Sequence, residues 1–370
     1  MADMQRSGVR MRREHAPRVP SLDYIRVTAA SLVVLSHAIE LNYSDLGDIP
    51  NEVEALIVYT CYALSRTAVP MFLMLTGYLL LSRDYSTHES VRHFWKKNFL
   101  PLLLTWELWV AIYYPISCWH YKTKFDVLEL IWQLLLAHKC TLVHSWYIPM
   151  ILGVYFFIPY IAKAVQSLDK TETSAILAVS LWSAFLLPSI NNLFGGGLTF
   201  SQGVIPLIAT PFSSTNFSGG PYGFYIFAGY LIRKHANTSA DRHPLFISLG
   251  TFIISLAISA LVVEAIPKIG FWYNNVCLVP TSASLFIFLH SLDFHSSVRR
   301  NEIFALLSKA SFGIYLVHYP ILLYLSTIFD RPAQSFRNLI SLFALSLISS
   351  MFIVLATRHT PKIGRALFRM

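Results

Sequence analysis

Charged residues and cysteines are both scarce in this sequence. Asp, Glu, Lys and Arg make up 13% of its 370 residues, whereas 55% are hydrophobic and the mean hydropathy is +0.52. That balance excludes an ordinary soluble domain and indicates a multi-pass membrane protein. The four cysteines form no CxxC pair, so neither a zinc site nor a redox motif is predicted. A disulfide between Cys118 and Cys140, which flank one loop, stays open as an alternative.

Two further features are missing from the sequence. No small-residue cleavage site follows the first apolar run, so we expect that run to be a retained anchor rather than a signal peptide. No internal repeat relates the two halves of the chain, whereas many transporters are built from such repeats. The net charge is +9, but the basic residues cluster in short segments between apolar runs. Because the positive-inside rule already explains them, nucleic acid is not expected as a partner.

Apolar runs of about 20 residues predict membrane-spanning helices. The sequence predicts an all-α, polytopic membrane helix bundle of about ten such helices with both termini cytoplasmic. The outer loop 43–55 is acidic and lacks Lys and Arg, whereas the inner loop 82–98 carries four basic residues, which fixes the orientation. The predicted spans lie near 22–42, 56–81, 99–118, 146–166, 174–192, 221–232, 245–266, 272–292, 303–328 and 338–357.

The chain divides into a basic cytoplasmic segment (1–20), a membrane domain (21–358) and a short cytoplasmic tail (359–370). Two predicted outer segments are long. Residues 119–145 contain apolar positions at helical spacing in a run too short to span, which favours a re-entrant or interfacial helix. Residues 193–220 are rich in Gly, Ser, Thr and Pro and predict an irregular loop.

The first predicted span, "DYIRVTAASLVVLSH", carries two costly side chains eleven residues apart, Arg26 and His37. On an α-helix that spacing is about three turns, roughly 16 Å of rise, with an angular offset of only about 20°. Both side chains therefore share one face and reach toward opposite compartments. Ionisable groups inside a membrane usually face a bundle interior and mark a functional site. The structural alternative is that Arg26 reaches the headgroups and His37 bonds to a neighbouring carbonyl.

The second span places Arg66 at a depth similar to that of His37. Because an arginine cannot lose its proton, Arg66 needs a carboxylate, carbonyls, water or a ligand. Glu40 and Glu107 are the candidate carboxylates for a structural ion pair.

Three later segments carry polar residues whose interpretation from sequence is open. His144, Trp146 and Tyr147 lie at one end of the fourth span, where Trp and Tyr also fit the aromatic belt. Ser311, Tyr315 and His318 share a helix face, which could equally be a polar packing seam. In "FLHSLDFH", His290, Asp293 and His295 could bind a metal, although contacts to lipid headgroups explain them more simply.

Four motifs in order resemble the acyltransferase-3 family of integral membrane acyltransferases, along nearly the whole chain. The first is the pattern of Asp23, Arg26 and, after ten further residues, His37. "VPMFLMLTGYLL" is similar to the family's second motif, with Thr76 where Ser is usual. "HSWYIPMILGVYFFIP" and "SFGIYLVHYP" resemble the third and fourth.

One segment departs from the family pattern. Members often carry two arginines four residues apart before a proline, whereas this chain reads "FWKKNFLP". Lys96 and Lys97 retain the charge, but a bidentate contact to phosphate is not available to lysine.

The resemblance implies transfer of an acyl group, most often acetyl, from cytoplasmic acetyl-CoA or another acyl-CoA to a hydroxyl of an envelope glycan or lipid-linked saccharide. His37 would be the general base, because an alcohol is a weak nucleophile near pH 7. Arg66 would stabilise the oxyanion, Arg26 with Lys96 and Lys97 would bind the acyl-CoA phosphates, and no metal would be needed. The residues expected to contact the acceptor are His144, Trp146, Tyr147, Tyr315 and His318. Covalent acylation of His37 stays open as an alternative mechanism.

The family also implies a location in the inner membrane of a bacterium, in contact with lipid. Two other functions compete with acyl transfer: a transporter or flippase that uses the intramembrane Arg and His residues, and a scaffold without chemistry. The sequence indicates no oligomeric state.

Overall fold

The computed structural model describes residues 18–43, 45–193, 220–236, 243–265, 271–292, 298–328 and 335–369. In these ranges the chain is helical throughout its regular structure, which confirms the all-α fold class. The helices are α1 (Pro20–Asn42), α2 (Glu52–Ser65), α3 (Ala68–Leu80), α4 (His88–Phe94), α5 (Leu100–Tyr121), α6 (Val127–Leu134), α7 (Tyr147–Ser167), α8 (Lys170–Leu181), α9 (Leu187–Leu193), α10 (Gly220–Ala236), α11 (His243–Ala265), α12 (Leu278–Ser291), α13 (Val298–Ile328), α14 (Phe336–Ala356) and α15 (Pro361–Phe368).

Eight helical segments of the described chain are long and apolar enough to cross a membrane. The sixth and eighth predicted spans correspond to two shorter helices, α10 and α12. The protein is therefore a multi-pass membrane protein, while the count of ten spans and the cytoplasmic termini stay predictions. Most of the predicted loop 193–220, and the segment 1–17, lie outside the described residues.

Helix α1 is the central element of the bundle. It packs against α2, α3, α12, α13 and α14. In its most apolar stretch 67% of the residues are buried, compared with 6% for the peripheral segment Lys170–Asn191. Because α1 is enclosed by other helices, polar side chains along it face protein rather than lipid, as the general behaviour of intramembrane ionisable groups predicts.

The second predicted span is two helices rather than one. Helix α2 ends at Ser65, and α3 starts at Ala68. Pro70 lies in the first turn of α3, where its missing N–H breaks no helical hydrogen bond. Arg66 therefore lies at the junction between the two helices, where its side chain projects from the end of α2 toward the bundle interior.

Helices α3 and α10 approach each other as closely as their backbones allow. A Cβ atom at Gly77 would overlap the carbonyl group of Ile226, and a Cβ at Gly229 would overlap that of Met74. Small residues let transmembrane helices pack backbone to backbone in this way. Gly77 and Gly229 are therefore close-packing positions between these two helices.

The remaining structural expectations have mixed outcomes. Residues 127–134 form a helix of eight residues, which confirms a short helix in the segment 119–145. All four cysteine thiols are free, so the alternative disulfide between Cys118 and Cys140 is wrong for this structure. His290 is hydrogen-bonded to the hydroxyl of Tyr78 at 2.9 Å. Its suggested metal-binding neighbours, Asp293 and His295, lie outside the described residues.

Candidate active site

Three histidines from three separate helical segments meet in the bundle. His37 comes from α1, His144 from the turn just before α7, and His318 from α13. The ring centroid of His37 is 5.4 Å from that of His318 and 6.3 Å from that of His144, and the last two are 5.3 Å apart. His144 and His318 are fully buried, whereas 13% of the His37 side chain is exposed. His37 is thus the member of the cluster that a substrate can reach.

A carboxylate orients His37. The Nδ1 atom of His37 lies 2.9 Å from Oε2 of Glu40, one turn further along α1. An ionised carboxylate can only accept a hydrogen bond, so the proton of a neutral His37 lies on Nδ1 and its Nε2 carries the lone pair. This is the tautomer that a general base requires, because its Nε2 can accept a proton. The carboxylate also stabilises the imidazolium that forms when Nε2 takes the proton.

The other oxygen of Glu40 binds the buried arginine. Oε1 of Glu40 accepts a hydrogen bond from NH1 of Arg66 at 2.9 Å, and Nε of Arg66 donates to the carbonyl oxygen of Phe271 at 2.9 Å. The guanidinium also lies 4.5 Å from the ring centroid of Tyr273 and 5.0 Å from that of Trp272. Between the two sequence candidates, the structure therefore selects Glu40 rather than Glu107 as the partner of Arg66. It joins Arg66, Glu40 and His37 in one chain of charged hydrogen bonds.

The hydrogen-bond network also assigns the tautomers of the two buried histidines. Nδ1 of His318 donates to the carbonyl oxygen of Tyr315 at 2.6 Å. The hydroxyl of Tyr113 donates to the carbonyl oxygen of Leu316 at 2.7 Å, so at its 3.2 Å contact with Nε2 of His144 the histidine is the donor. The remaining nitrogens, Nδ1 of His144 and Nε2 of His318, are bare acceptors that are buried without a protein partner. Each of the three imidazoles thus presents a lone pair.

A small cavity of about 20 Å³ lies beside His37; we call it the histidine cavity. It has room for about one water molecule. It is lined by Val33, Ser36, His37, Ser65, Ala68, Val69, His144, Trp146, Tyr147, Tyr273 and Tyr315.

A larger cavity of about 390 Å³ lies nearer the start of α1; we call it the basic cavity. Four cationic side chains line it: Arg26, Arg83, Lys309 and Arg369. Most of the remaining wall is apolar, from α3, α5, α7 and α13, with a few hydroxyl groups such as that of Ser311. A cavity of this kind fits an amphiphilic anion, with charge at one end and an apolar or neutral arm.

Tyr147 and Tyr315 line both the histidine cavity and the basic cavity. Their ring centroids are 5.7 Å apart, and the hydroxyl of Tyr315 donates to the carbonyl oxygen of His144 at 2.6 Å. The two tyrosines therefore form the wall between the cavities. The two cavities adjoin at these two side chains.

A third concavity, also of about 390 Å³, continues from the basic cavity over the loop before α4; we call it the surface cleft. It shares Arg83 and Asn98 with the basic cavity, and Lys97 lines it.

The structure brings most of the sequence candidates into one region. His37, His144, Trp146, Tyr147 and Tyr315 line the histidine cavity, and the ring of His318 stacks on His37. Arg66 reaches them through Glu40. The shared face predicted for α1 accounts for Arg26 in the basic cavity and His37 in the histidine cavity. Lys96 is exposed and is absent from the walls of the three cavities described here.

Sequence reasoning missed several residues of this region. Glu40 was considered only as a partner for Arg66, although its position three residues after His37 predicts a contact on the same face. Tyr113, Lys309 and Arg369 carry no local signal, because only the packing of distant helices brings them to the site. Within the described residues, no group of three His, Cys, Asp or Glu side chains is placed to hold a metal ion.

The comparison with known families decides the assignment. A family model described as an acyltransferase domain matches residues 19–359, nearly the whole chain. The chain belongs to the acyltransferase-3 family. The matched range contains the histidine cluster, Glu40, Arg66 and three of the four cations of the basic cavity, so the site described above lies inside the family's domain.

Individual relatives of this acyltransferase-3 protein are distant. It is 27% identical over 285 residues to a serine/alanine racemase of Enterococcus gallinarum, a match that covers 72% of this chain and 35% of the relative. It is 22% identical over 348 residues to an amino-acid racemase of Enterococcus faecalis, covering 91% of this chain and 45% of the relative. The chain thus spans less than half the length of these relatives. No solved structure matches it.

Proposed function

We propose that this membrane acyltransferase moves an acyl group, most often acetyl, from cytoplasmic acyl-CoA to a hydroxyl group of a saccharide at the other side of the membrane, with His37 as the general base. The single observation that supports it best is the pair of cavities that meet at Tyr147 and Tyr315. One cavity carries four cations, and the other carries the imidazole. The concentration of Lys and Arg in alternate loops supports the basic cavity as the cytoplasmic one.

The proposed reaction takes place beside the histidine cavity. The hydroxyl oxygen of the acceptor attacks the thioester carbon while Nε2 of His37 takes the hydroxyl proton. The tetrahedral intermediate collapses with cleavage of the carbon–sulfur bond, and the imidazolium returns the proton to the departing thiolate. The products are an ester and free coenzyme A. Glu40 holds His37 in the required tautomer, and Arg66 fixes the position of Glu40 through its hydrogen bond.

The positive charge near His37 has a second role in the proposal. An oxyanion develops on the thioester oxygen, and a preorganised cation in a site of low dielectric constant stabilises it strongly. Arg66 is the buried cation linked to the histidine cluster. We therefore keep Arg66 as the candidate for stabilising the oxyanion, in addition to its role in binding Glu40.

The acceptor is proposed from the chemistry of the cluster. Three imidazoles that each present a lone pair favour a ligand that donates hydrogen bonds, and the several hydroxyl groups of a saccharide fit this requirement. Because the matched relatives are bacterial proteins, we propose the cytoplasmic membrane of a bacterium as the location and an envelope glycan or lipid-linked saccharide as the acceptor.

The decisive experiment measures the release of coenzyme A from acetyl-CoA by purified protein in lipid nanodiscs, with extracted envelope glycans as acceptor. We expect His37→Ala to abolish transfer, and His138→Ala, which changes an exposed histidine outside the predicted spans, to preserve it. Glycans from cells with and without the protein should differ by the mass of one acyl group. Transfer at the normal rate by His37→Ala would contradict the role of this residue. An unchanged glycan mass would contradict the acceptor.

A further inference from the structure

Helix α15 is docked into the bundle by specific contacts. Nε1 of Trp109 donates to the carbonyl oxygen of Leu367 at 2.7 Å. The hydroxyl of Thr105, which donates to the carbonyl oxygen of Pro101 at 2.9 Å, also lies 3.4 Å from that of Ala366. Phe368 is buried, with its ring centroid 5.8 Å from that of Trp109. A Cβ atom at Gly313 would lie 2.7 Å from the side chain of Val354 and 3.0 Å from the Phe368 ring, so this glycine makes room for both. The segment is thus a built part of the domain rather than a loose tail.

This docking places Arg369 at the wall of the basic cavity. Arg369 ends α15 in the left-handed conformation, with φ of 56°, which turns the chain away from the helix axis. Its guanidinium donates to the carbonyl oxygen of Lys97 at 3.5 Å, beside the surface cleft. Phe368 and Arg369 both line the basic cavity. The apolar ring therefore anchors the helix while the next side chain contributes a charge.

The charge of the basic cavity is not neutralised by its own wall. No Asp or Glu is among the residues that line it. The carboxylate nearest to Arg26 is that of Asp23, at 3.6 Å, but both oxygens of Asp23 already accept hydrogen bonds from Arg18 at 2.7 and 3.0 Å. Four cations around one cavity without a carboxylate in its wall repel each other unless an anion of several charges joins them. Phosphate groups match this requirement in charge and in hydrogen-bonding geometry.

We propose that Arg369, positioned by α15, and Lys309 bind the phosphate groups of the acyl donor, so that residues 361–369 are a donor-binding element of the enzyme. The inference rests on the proposed function and extends it to a segment outside the matched acyltransferase domain, which ends at residue 359. Arg369 acts on donor affinity and not on the chemical step, because Tyr147 and Tyr315 separate its cavity from the histidines.

The same helix supplies a matched control. Lys362 is exposed near the start of α15 and does not line the basic cavity. Lys362→Gln and Arg369→Gln remove the same charge from the same helix, so a general effect on folding or on surface potential would appear in both variants. A direct contact to phosphate would appear in Arg369→Gln alone.

The experiment measures dissociation constants by calorimetry for coenzyme A, 3′-dephospho-coenzyme A and pantetheine on the protein in nanodiscs. We expect Arg369→Gln to weaken binding of coenzyme A about ten-fold, equivalent to about 1.4 kcal/mol, and to leave pantetheine unchanged. Arg369→Lys should restore part of the loss, and Lys309→Gln should behave like Arg369→Gln. The turnover rate at saturating acetyl-CoA should stay at the wild-type value.

Several results would count against the inference, and they are distinguishable. If wild-type protein binds coenzyme A but Arg369→Gln binds it equally well, or if Lys362→Gln loses as much affinity, Arg369 does not contact the donor. If wild-type protein binds no coenzyme A at all, the proposed donor is wrong and the inference falls with it. An equal loss of affinity for pantetheine would assign Arg369 a structural role and overturn the proposal.

Discussion

Glu40 is the residue on which the proposed chemistry depends most directly after His37, and Glu40→Gln tests it with a minimal change in shape. The substitution keeps an oxygen that can accept the hydrogen bond from Arg66. It also introduces an amide NH₂ that can donate to Nδ1 of His37. Such a bond would favour the tautomer with the proton on Nε2, and this tautomer cannot act as a base.

The size of the effect can be bounded from the contacts. Glu40 makes two charged hydrogen bonds, each of 2.9 Å, to His37 and to Arg66. One such bond contributes about 1.5–3 kcal/mol, so loss of the bond to His37 alone lowers the rate roughly 10- to 150-fold. In the Ser-His-Asp triad, the same change of carboxylate to amide lowers turnover about 10⁴-fold. Glu40 is one-third exposed, which weakens its interactions relative to a fully buried carboxylate. We therefore expect turnover to fall about 100-fold, near the upper end of the hydrogen-bond range.

The assay is the release of coenzyme A from acetyl-CoA at saturating acceptor, with Glu107→Gln as the control. Glu107 is a carboxylate within α5 and was the alternative partner of Arg66, but no described contact links it to the site. We expect Glu107→Gln to retain wild-type turnover and both variants to bind coenzyme A normally. Equal turnover of Glu40→Gln and wild-type protein would refute the orienting role of Glu40. A loss confined to coenzyme A binding would refute it as well.

Two further predictions concern helix packing. Gly229→Ala places a methyl group against the backbone of Met74 and should destabilise the protein by about 1–3 kcal/mol in thermal unfolding. Gly223→Ala on the same helix meets open space and should be neutral or stabilising. Equal melting temperatures of the two variants would contradict the close packing of α3 and α10. Trp109→Phe removes the hydrogen bond to Leu367 that docks α15. It should weaken coenzyme A binding several-fold in calorimetry without changing the affinity for pantetheine. Unchanged binding of coenzyme A would contradict a role of α15 in binding the donor.

The sequence predicts the fold class and much of the site because its strongest signals are local. The spacing of Arg26 and His37 follows from helix geometry, and burial of α1 follows from the cost of ionisable groups in lipid. The segments around His144 and His318 are recognisable because each combines polar and aromatic residues inside an apolar run. These signals do not depend on how the helices are arranged.

Interhelical relations are what the sequence does not contain. Glu40 and Glu107 are equivalent candidates for Arg66 until α1 packs against α2. Arg369 contributes to the basic cavity only because α15 folds back between α5 and α13. The number of spans is ambiguous in the sequence for a related reason. Helices α10 and α12 are too short to be recognised as spans by length alone, and they pack against neighbouring helices.

The wall formed by Tyr147 and Tyr315 also matters for the leakage of ions across the membrane. A continuous wet passage with four cations at one mouth would conduct small anions and dissipate the membrane potential. Two phenol side chains, with their ring planes tilted by 60° and one hydroxyl hydrogen-bonded to the backbone of His144, lie between the two cavities. If the proposed function holds, the separation of the two cavities at Tyr147 and Tyr315 would keep the protein from acting as an ion leak.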